Sequence, residues 1–374
     1  MSGVAIPAAA LVKKDSLAEL PEQRFLPEAY RLPGGSQRGA WMQTGPKVVF
    51  IEVTNRCNLL CQTCPRTYLE REPLKSLSVN EFISIAGQFP QMQRALLHGI
   101  GEPLLNKDLP KIIHYLKGRQ VEVIINSNGT LLTEKWQKNL VECGLDQYRC
   151  SIDAASDETF ARIRGVALLP RLKKGLEGLV ETKERLGSAT PRISIWCVAT
   201  RENLQELPEL VRMAAGLGVP EVYMQRMVYF AGQPDQQYGL ARRDLAIFGR
   251  DEQAEAEVIQ ECTGLSADLG IKFLASGGRD AQNSLAAARP ADLAPWQACL
   301  RPWTTAYVTA NGNCLPCCIS PFATNDYESL ILGNLFESPF EQIWNGPLYQ
   351  KFRMNLLSEN PNPACAHCGV GWSL

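Results

Sequence analysis

Short apolar runs alternate with helical periods along most of the chain. KVVFIEVT (47–54) is the first run, followed by RALLHGI (94–100), VEVIINS (121–127), QYRCSID (147–153), RISIWCVAT (192–200) and EVYMQRMVYF (221–230). Short β-branched runs of this kind mark strands buried in a parallel sheet. Between them, apolar residues recur at helical spacing. Ser78 and Glu81 form a capping box that opens VNEFISIAGQF. Further helices are predicted over 109–118, over 133–144 with Gly144 as its stop, over 166–186 and over 203–218. Six strands joined by helical crossovers predict a parallel α/β sheet, either open or curled into a partial barrel. Past 230 the alternation stops. YFAGQPDQQYG reads as a loop, 244–269 as a helix, and 276–295 as a linker of small residues.

The edges of the chain read differently. Residues 1–46 carry Pro7, Pro21, Pro27, Pro33, Gly34, Gly35 and Pro46 with little periodicity. They predict an irregular arm on the surface of the main domain. The core is expected over 47–275, a linker over 276–298, and a small cysteine-rich domain over 299–374, packed on the core.

Composition narrows the function. The 374 residues are 45% apolar and 21% charged, which suits a globular protein with a real core. Lys plus Arg is 38 and Asp plus Glu is 39, a net charge of −1. Nucleic acid or an anionic membrane as obligatory partner calls for a basic surface, so neither is expected. No apolar run reaches the ~18 residues of a membrane span. The N-terminus lacks the basic lead of a secretory signal, so a cytoplasmic location is expected. In a reducing compartment, the thirteen cysteines are expected to bind metal where they cluster.

Cys57, Cys61 and Cys64 sit in TNRCNLLCQTCPRT, directly after the first strand, at C-x3-C-x2-C spacing. Three thiolates on one loop can hold three irons of a cubane and leave the fourth open. A zinc site would recruit a fourth ligand nearby, and the nearest histidine, His98, lies on another element. Here the sequence resembles the radical S-adenosylmethionine (SAM) enzymes over nearly all of 47–230. The resemblance implies a partial, open (β/α)6 TIM-like barrel. It also implies a [4Fe-4S] cluster that binds SAM at its open iron, cleaves it reductively, and yields a 5′-deoxyadenosyl radical that takes hydrogen from substrate.

The same resemblance implies the SAM contacts. Thr63 precedes the third cysteine, where the family usually has an aromatic or large residue. Gly101 and Glu102 lie in GIGEPLL after the second strand; glycine lets the backbone approach a ligand, and Glu102 can accept from the methionine ammonium. Ser151 ends the fourth strand and is expected to hydrogen-bond SAM. Arg164 is expected at its carboxylate or ribose, with a surface ion pair to Asp157 or Glu158 as the alternative. Met227, at the end of the sixth strand, is expected beside the adenosine or as core filler. All lie past carboxyl ends of strands, where ligands of parallel α/β folds bind.

The second cysteine group is Cys299, Cys314, Cys317, Cys318, Cys365 and Cys368. Cys299, Gly312 and Cys317 follow C-x12-G-x4-C, and Cys365 and Cys368 follow C-x2-C. TTAYVTA, a turn at Asn311-Gly312 and CLPCC predict a β-hairpin with ligands at its base. These segments resemble the SPASM/Twitch extension of some radical SAM enzymes, including the LGN…IW stretch. The resemblance implies one auxiliary [4Fe-4S] cluster on Cys299, Cys317, Cys365 and Cys368, with Cys314 or Cys318 able to replace Cys317. In isolation a zinc ribbon fits these cysteines comparably well. Cys143, Cys150, Cys197 and Cys262 are expected as buried apolar groups, and Trp303 and Trp344 as core of the small domain.

The expected activity is that of a radical SAM oxidoreductase-type enzyme. It would oxidise or epimerise a small, sugar- or aminocyclitol-like molecule, the auxiliary cluster accepting an electron. The alternative is a peptide or protein maturase of the same superfamily. Flavodoxin or ferredoxin is the expected electron donor. Arg226, Arg301, Tyr223 and Glu52 are polar candidates near the barrel mouth.

Overall fold

The computed structural model describes residues 32, 38–227, 243–247, 251–275, 296, 299–323, 326–366 and 368. The six expected strands are present as β1 (Val48–Ile51), β2 (Arg94–Leu97), β3 (Glu122–Ser127), β4 (Gln147–Ser151), β5 (Arg192–Ala199) and β6 (Glu221–Arg226). Each pairs in parallel with its sequence neighbour. Their helices are α1 (Val79–Ala86), α2 (Leu109–Gly118), α3 (Glu134–Glu142), α4 (Asp157–Arg164), α5 (Leu169–Arg185), α6 (Leu207–Gly216) and α7 (Glu252–Asp268). The capping box of α1 forms as expected: Ser78 N donates to Glu81 Oε2 at 2.9 Å, and Glu81 N to Ser78 Oγ at 3.3 Å.

Three features depart from the pattern reading. A seventh parallel strand, β7 (Lys272–Ala275), pairs with β6. Its four residues are too short a run to register against the helix before it. Helix α4 precedes α5 as a separate element, capped by Ser156 and closed by Gly165 at φ 76°. A side chain at 165 would also meet the Leu60 carbonyl, so this glycine lets the end of α4 press on the cysteine loop.

The third departure joins the two halves. β8 (Thr305–Val308) pairs in parallel with β1 over four residues, and β9 (Cys314–Leu315) returns antiparallel on β8. The result is one nine-stranded sheet in the order β7-β6-β5-β4-β3-β2-β1-β8-β9. The C-terminal hairpin therefore extends the barrel sheet through backbone hydrogen bonds. Gly312 makes the expected hairpin turn at φ 86°.

The described part of the N-terminal arm bonds to the C-terminal region. Met42 N donates to Asn345 Oδ1 at 2.9 Å, and Asn345 Nδ2 returns a bond to Met42 O. Trp303 and Trp344, buried as expected, donate their indole N–H groups to Gly39 O and Thr44 O. Buried Arg353 donates to the carbonyls of Ala40, Pro302 and Trp344 and stacks 4.2 Å from the Trp344 ring. The linker 276–295 and the loop after 230 lie outside the described residues up to 242. No helix among the described residues is long and apolar enough to cross a membrane.

Candidate functional site

The loop after β1 holds Cys57, Cys61 and Cys64, all half-buried and free. Arg66 shapes it. Its guanidinium donates to three loop carbonyls: Asn55 O at 3.1 Å, Leu59 O at 3.3 Å and Cys57 O at 3.1 Å. One rigid donor fork thus fixes the backbone around the thiols. Thr67 Oγ1 adds a bond to Cys61 O at 2.9 Å. Pattern reading passed over Arg66, because nothing in its spacing marks it as a clamp. Charged hydrogen bonds contribute about 1.5–3 kcal/mol each. Arg66→Met should therefore loosen the loop, and iron bound at this site should fall by half or more after anaerobic reconstitution. Full occupancy in that variant would show that the loop needs no clamp.

Donors from two other elements converge on the thiols. Asn128, just past β3, lies with Nδ2 3.8 Å from Cys57 Sγ. Arg164, ending α4, lies with Nη1 3.9 Å from Cys61 Sγ. Burial pushes the Cys64 thiol up to about 12, and the Cys61 and Cys57 charges add to it. Burial likewise raises Cys57, with Glu102 and Cys61 contributing. Three half-buried thiols on one short loop suit a cationic partner. Among the described residues no three His, Cys, Asp or Glu side chains converge on a point that would hold a single metal ion.

The SAM-contact candidates lie around this loop. Thr63 is half-buried between Cys61 and Cys64. Gly101 presses its backbone on the loop's start, where a side chain would collide with the Thr54 and Arg56 carbonyls. Glu102 is 2% exposed and already employed. Its carboxylate accepts from Leu104 N at 3.0 Å, Ser127 Oγ at 2.8 Å and Asn128 N at 2.7 Å. It thereby ties the end of β2 to the end of β3. Burial raises it to about 7 against those bonds. An ionised carboxylate accepts about four hydrogen bonds, so room for another donor remains. Ser151 ends β4 half-buried. Arg164 pairs with Asp153 at 2.6 Å, not with Asp157 or Glu158, and its Nε is buried without an acceptor among the described residues. That orphaned donor beside Cys61 fits an anionic group. Met227 is buried in a small apolar cluster with Leu245 and Ala246.

The second thiol set assembles at the base of the hairpin. Cys299 precedes β8, and Cys317 and Cys318 follow β9. Burial raises Cys365, and the charges of Cys317, Cys299 and Cys368 raise it further. Burial raises Cys318 to about 11, and Cys317 and Cys299 bear on it too. Cys314 is buried within β9, and burial alone acts on its thiol. Cys314 thus lies inside a strand, while Cys317 and Cys318 both lie just past it. Cys143, Cys150, Cys197 and Cys262 are buried, as expected.

Because β8 runs parallel to β1, the two thiol sets sit at opposite ends of the strands. The first follows the carboxyl end of β1, and the second flanks the amino end of β8. Side chains facing the barrel interior lie between them. Arg149 on β4 lies 4.2 Å from the Trp196 ring on β5, which stacks on Tyr223 of β6 at 4.1 Å. Arg301 stands at the amino end, not at the expected mouth. Arg226 is buried, bound to Glu255 of α7 at 2.5 Å. Glu52 is also internal. It accepts from Ile100 N at 2.8 Å and Ala310 N at 3.3 Å, while burial raises it to about 7.

Comparison with known proteins identifies both regions of the chain. The profile of the radical SAM superfamily matches residues 51–243, and that of an iron–sulfur cluster-binding domain (SPASM) matches 299–369. The tungsten-containing aldehyde ferredoxin oxidoreductase cofactor-modifying protein of Pyrococcus furiosus is 32% identical over 189 residues, 49% of this chain and 52% of that protein. The alignment thus spans about half the length of that relative. The PqqA peptide cyclase of Granulibacter bethesdensis is 25% identical over 334 residues, 87% of this chain and 81% of that protein. The crystal structure of Streptococcus suis SuiB bound to S-adenosylmethionine superposes with a TM-score of 0.63 at 17% identity. It covers 83% of this chain and 68% of that one, a likeness of fold.

Proposed function

The chain belongs to the radical SAM superfamily and carries a C-terminal SPASM domain, and we propose that it oxidises a substrate held in the barrel interior between two iron–sulfur clusters. Its cofactors are SAM and [4Fe-4S] clusters, as these two domains imply. When bound by this chain, a reduced [4Fe-4S] cluster and SAM would supply a 5′-deoxyadenosyl radical able to take a hydrogen atom from substrate.

The chain's own residues take these roles. Cys57, Cys61 and Cys64 bind the first cluster, with Arg66 holding their loop in shape. Gly101 lets the backbone come close, and Glu102 accepts the ammonium of SAM while bracing two strand ends. Arg164 offers its buried Nε to the carboxylate, steadied by Asp153. Thr63, Ser151 and Met227 complete the SAM pocket. Cys299, Cys317, Cys365 and Cys368 bind the auxiliary cluster. The observation that carries the oxidation reading is the placement of the thiol sets at opposite ends of one interior. A substrate radical formed between them has an electron acceptor within the same fold. A small carrier such as flavodoxin or ferredoxin would reduce the first cluster.

Two substrate classes fit. A small molecule is supported by the relative named for modifying a cofactor. A peptide presenting one side chain is supported by the peptide cyclase, which aligns over most of this chain. Deuterated small molecules and peptides, offered with SAM and dithionite without oxygen, separate them. Label should enter 5′-deoxyadenosine only from the class that binds, and product should be two electrons more oxidised. Absence of any 5′-deoxyadenosine from fully loaded protein would sink the activity. A redox-neutral product would sink the oxidation.

A further inference from the structure

We propose that Arg301 sets the reduction potential of the auxiliary cluster, raising it so that the cluster takes an electron more readily. This rests on the reading that Cys299, Cys317, Cys365 and Cys368 hold that cluster. Arg301 opens the short helix Arg301–Thr304 at the amino end of β8, two residues after Cys299. Its Nη1 lies 3.2 Å from Cys318 Sγ. A guanidinium keeps its charge at any ordinary pH, so Arg301 brings a fixed positive charge to this thiol set.

Reduction adds one negative charge to a cluster already ringed by thiolates. A guanidinium bonded to the thiol next to Cys317 and two residues from Cys299 places a positive charge beside that cluster and stabilises the more negative state. Its planar fork can meet two sulfurs at once, which a lysine ammonium on a flexible stem does less well. Cys318, which accepts the Nη1 bond, is the chain neighbour of Cys317.

The test compares wild type with Arg301→Met and Arg301→Lys, each reconstituted with iron and sulfide without oxygen. Iron is counted, and both clusters are followed by electron paramagnetic resonance during stepwise titration with dithionite. Wild type should hold about eight irons in two cubanes. In Arg301→Met the auxiliary cluster should be at least tenfold harder to reduce, a downward shift of about 59 mV for one electron. The first cluster should not move, and Arg301→Lys should recover part of the shift. An unshifted auxiliary potential in an iron-complete Arg301→Met protein overturns the inference. So does loss of the auxiliary iron from both variants, which would make Arg301 structural. Wild type with only about four irons and one signal would instead remove the premise, and it shows before any variant is made.

Discussion

Protein in which Cys57, Cys61 and Cys64 are all replaced by Ala should form no 5′-deoxyadenosine and should keep about half of its iron. The loop supplies its three thiols from one short segment, and no other cysteine is in a position to replace them. Cys150 and Cys197 are buried on strands within the hydrophobic core, and the second set stands at the other end of the sheet. The fold should survive the change. Arg66 holds the loop through its carbonyls, not its thiols, and Glu102 ties β2 to β3 through groups that the substitutions leave alone. The measurements are iron per chain and SAM turnover with dithionite. Residual SAM cleavage above the protein-free rate would remove this loop from the chemistry.

Changing Cys365 and Cys368 to Ala should separate the two clusters. Iron should fall to about four per chain, with the spectrum of the first cluster intact. Formation of 5′-deoxyadenosine should continue, and a deuterated substrate should still pass its label to it, because hydrogen abstraction precedes electron removal. Oxidised product should fall by roughly 100-fold or more, a rise of about 2.7 kcal/mol in the effective barrier. The C-terminal region is anchored apart from its thiols. β8 is laced to β1 by backbone bonds, and Arg353 grips three carbonyls. Collapse of the region is therefore not the expected cause of any loss, and an unchanged first-cluster spectrum checks this. Full product formation without the second cluster would make that cluster structural and the reaction redox-neutral.

Local chemistry was the legible part. The six β-branched runs, the Ser78–Glu81 cap and the turn at Gly312 each depend on residues a few positions apart, so their spacing carries the signal. The C-x3-C-x2-C loop is local in the same sense and points to a three-thiol site unaided. Burial of Cys143, Cys150, Cys197 and Cys262 followed from the elements that carry them.

What joins distant segments was decided by tertiary structure alone. A carboxylate in a Gly-Glu-Pro turn carries no mark of the donors it will meet, and Glu102 finds Ser127 and Asn128 only once β2 and β3 lie side by side. Arg66 becomes a clamp because the loop folds back over it, and Arg164 chooses Asp153 over its own helix neighbours because α4 ends against the cysteine loop. Among Cys314, Cys317 and Cys318, strand register places the first inside β9 and the other two past its end. The pairing of β8 with β1 is the most consequential of these choices. Sequence alone determined that there are two groups of thiols, and its resemblance to a known family indicated what each is suited to hold. Only the direction of that one strand pair decided that they stand at opposite ends of a shared interior, because strand pairing is set by burial and hydrogen bonding between segments some 250 residues apart, which local spacing does not encode.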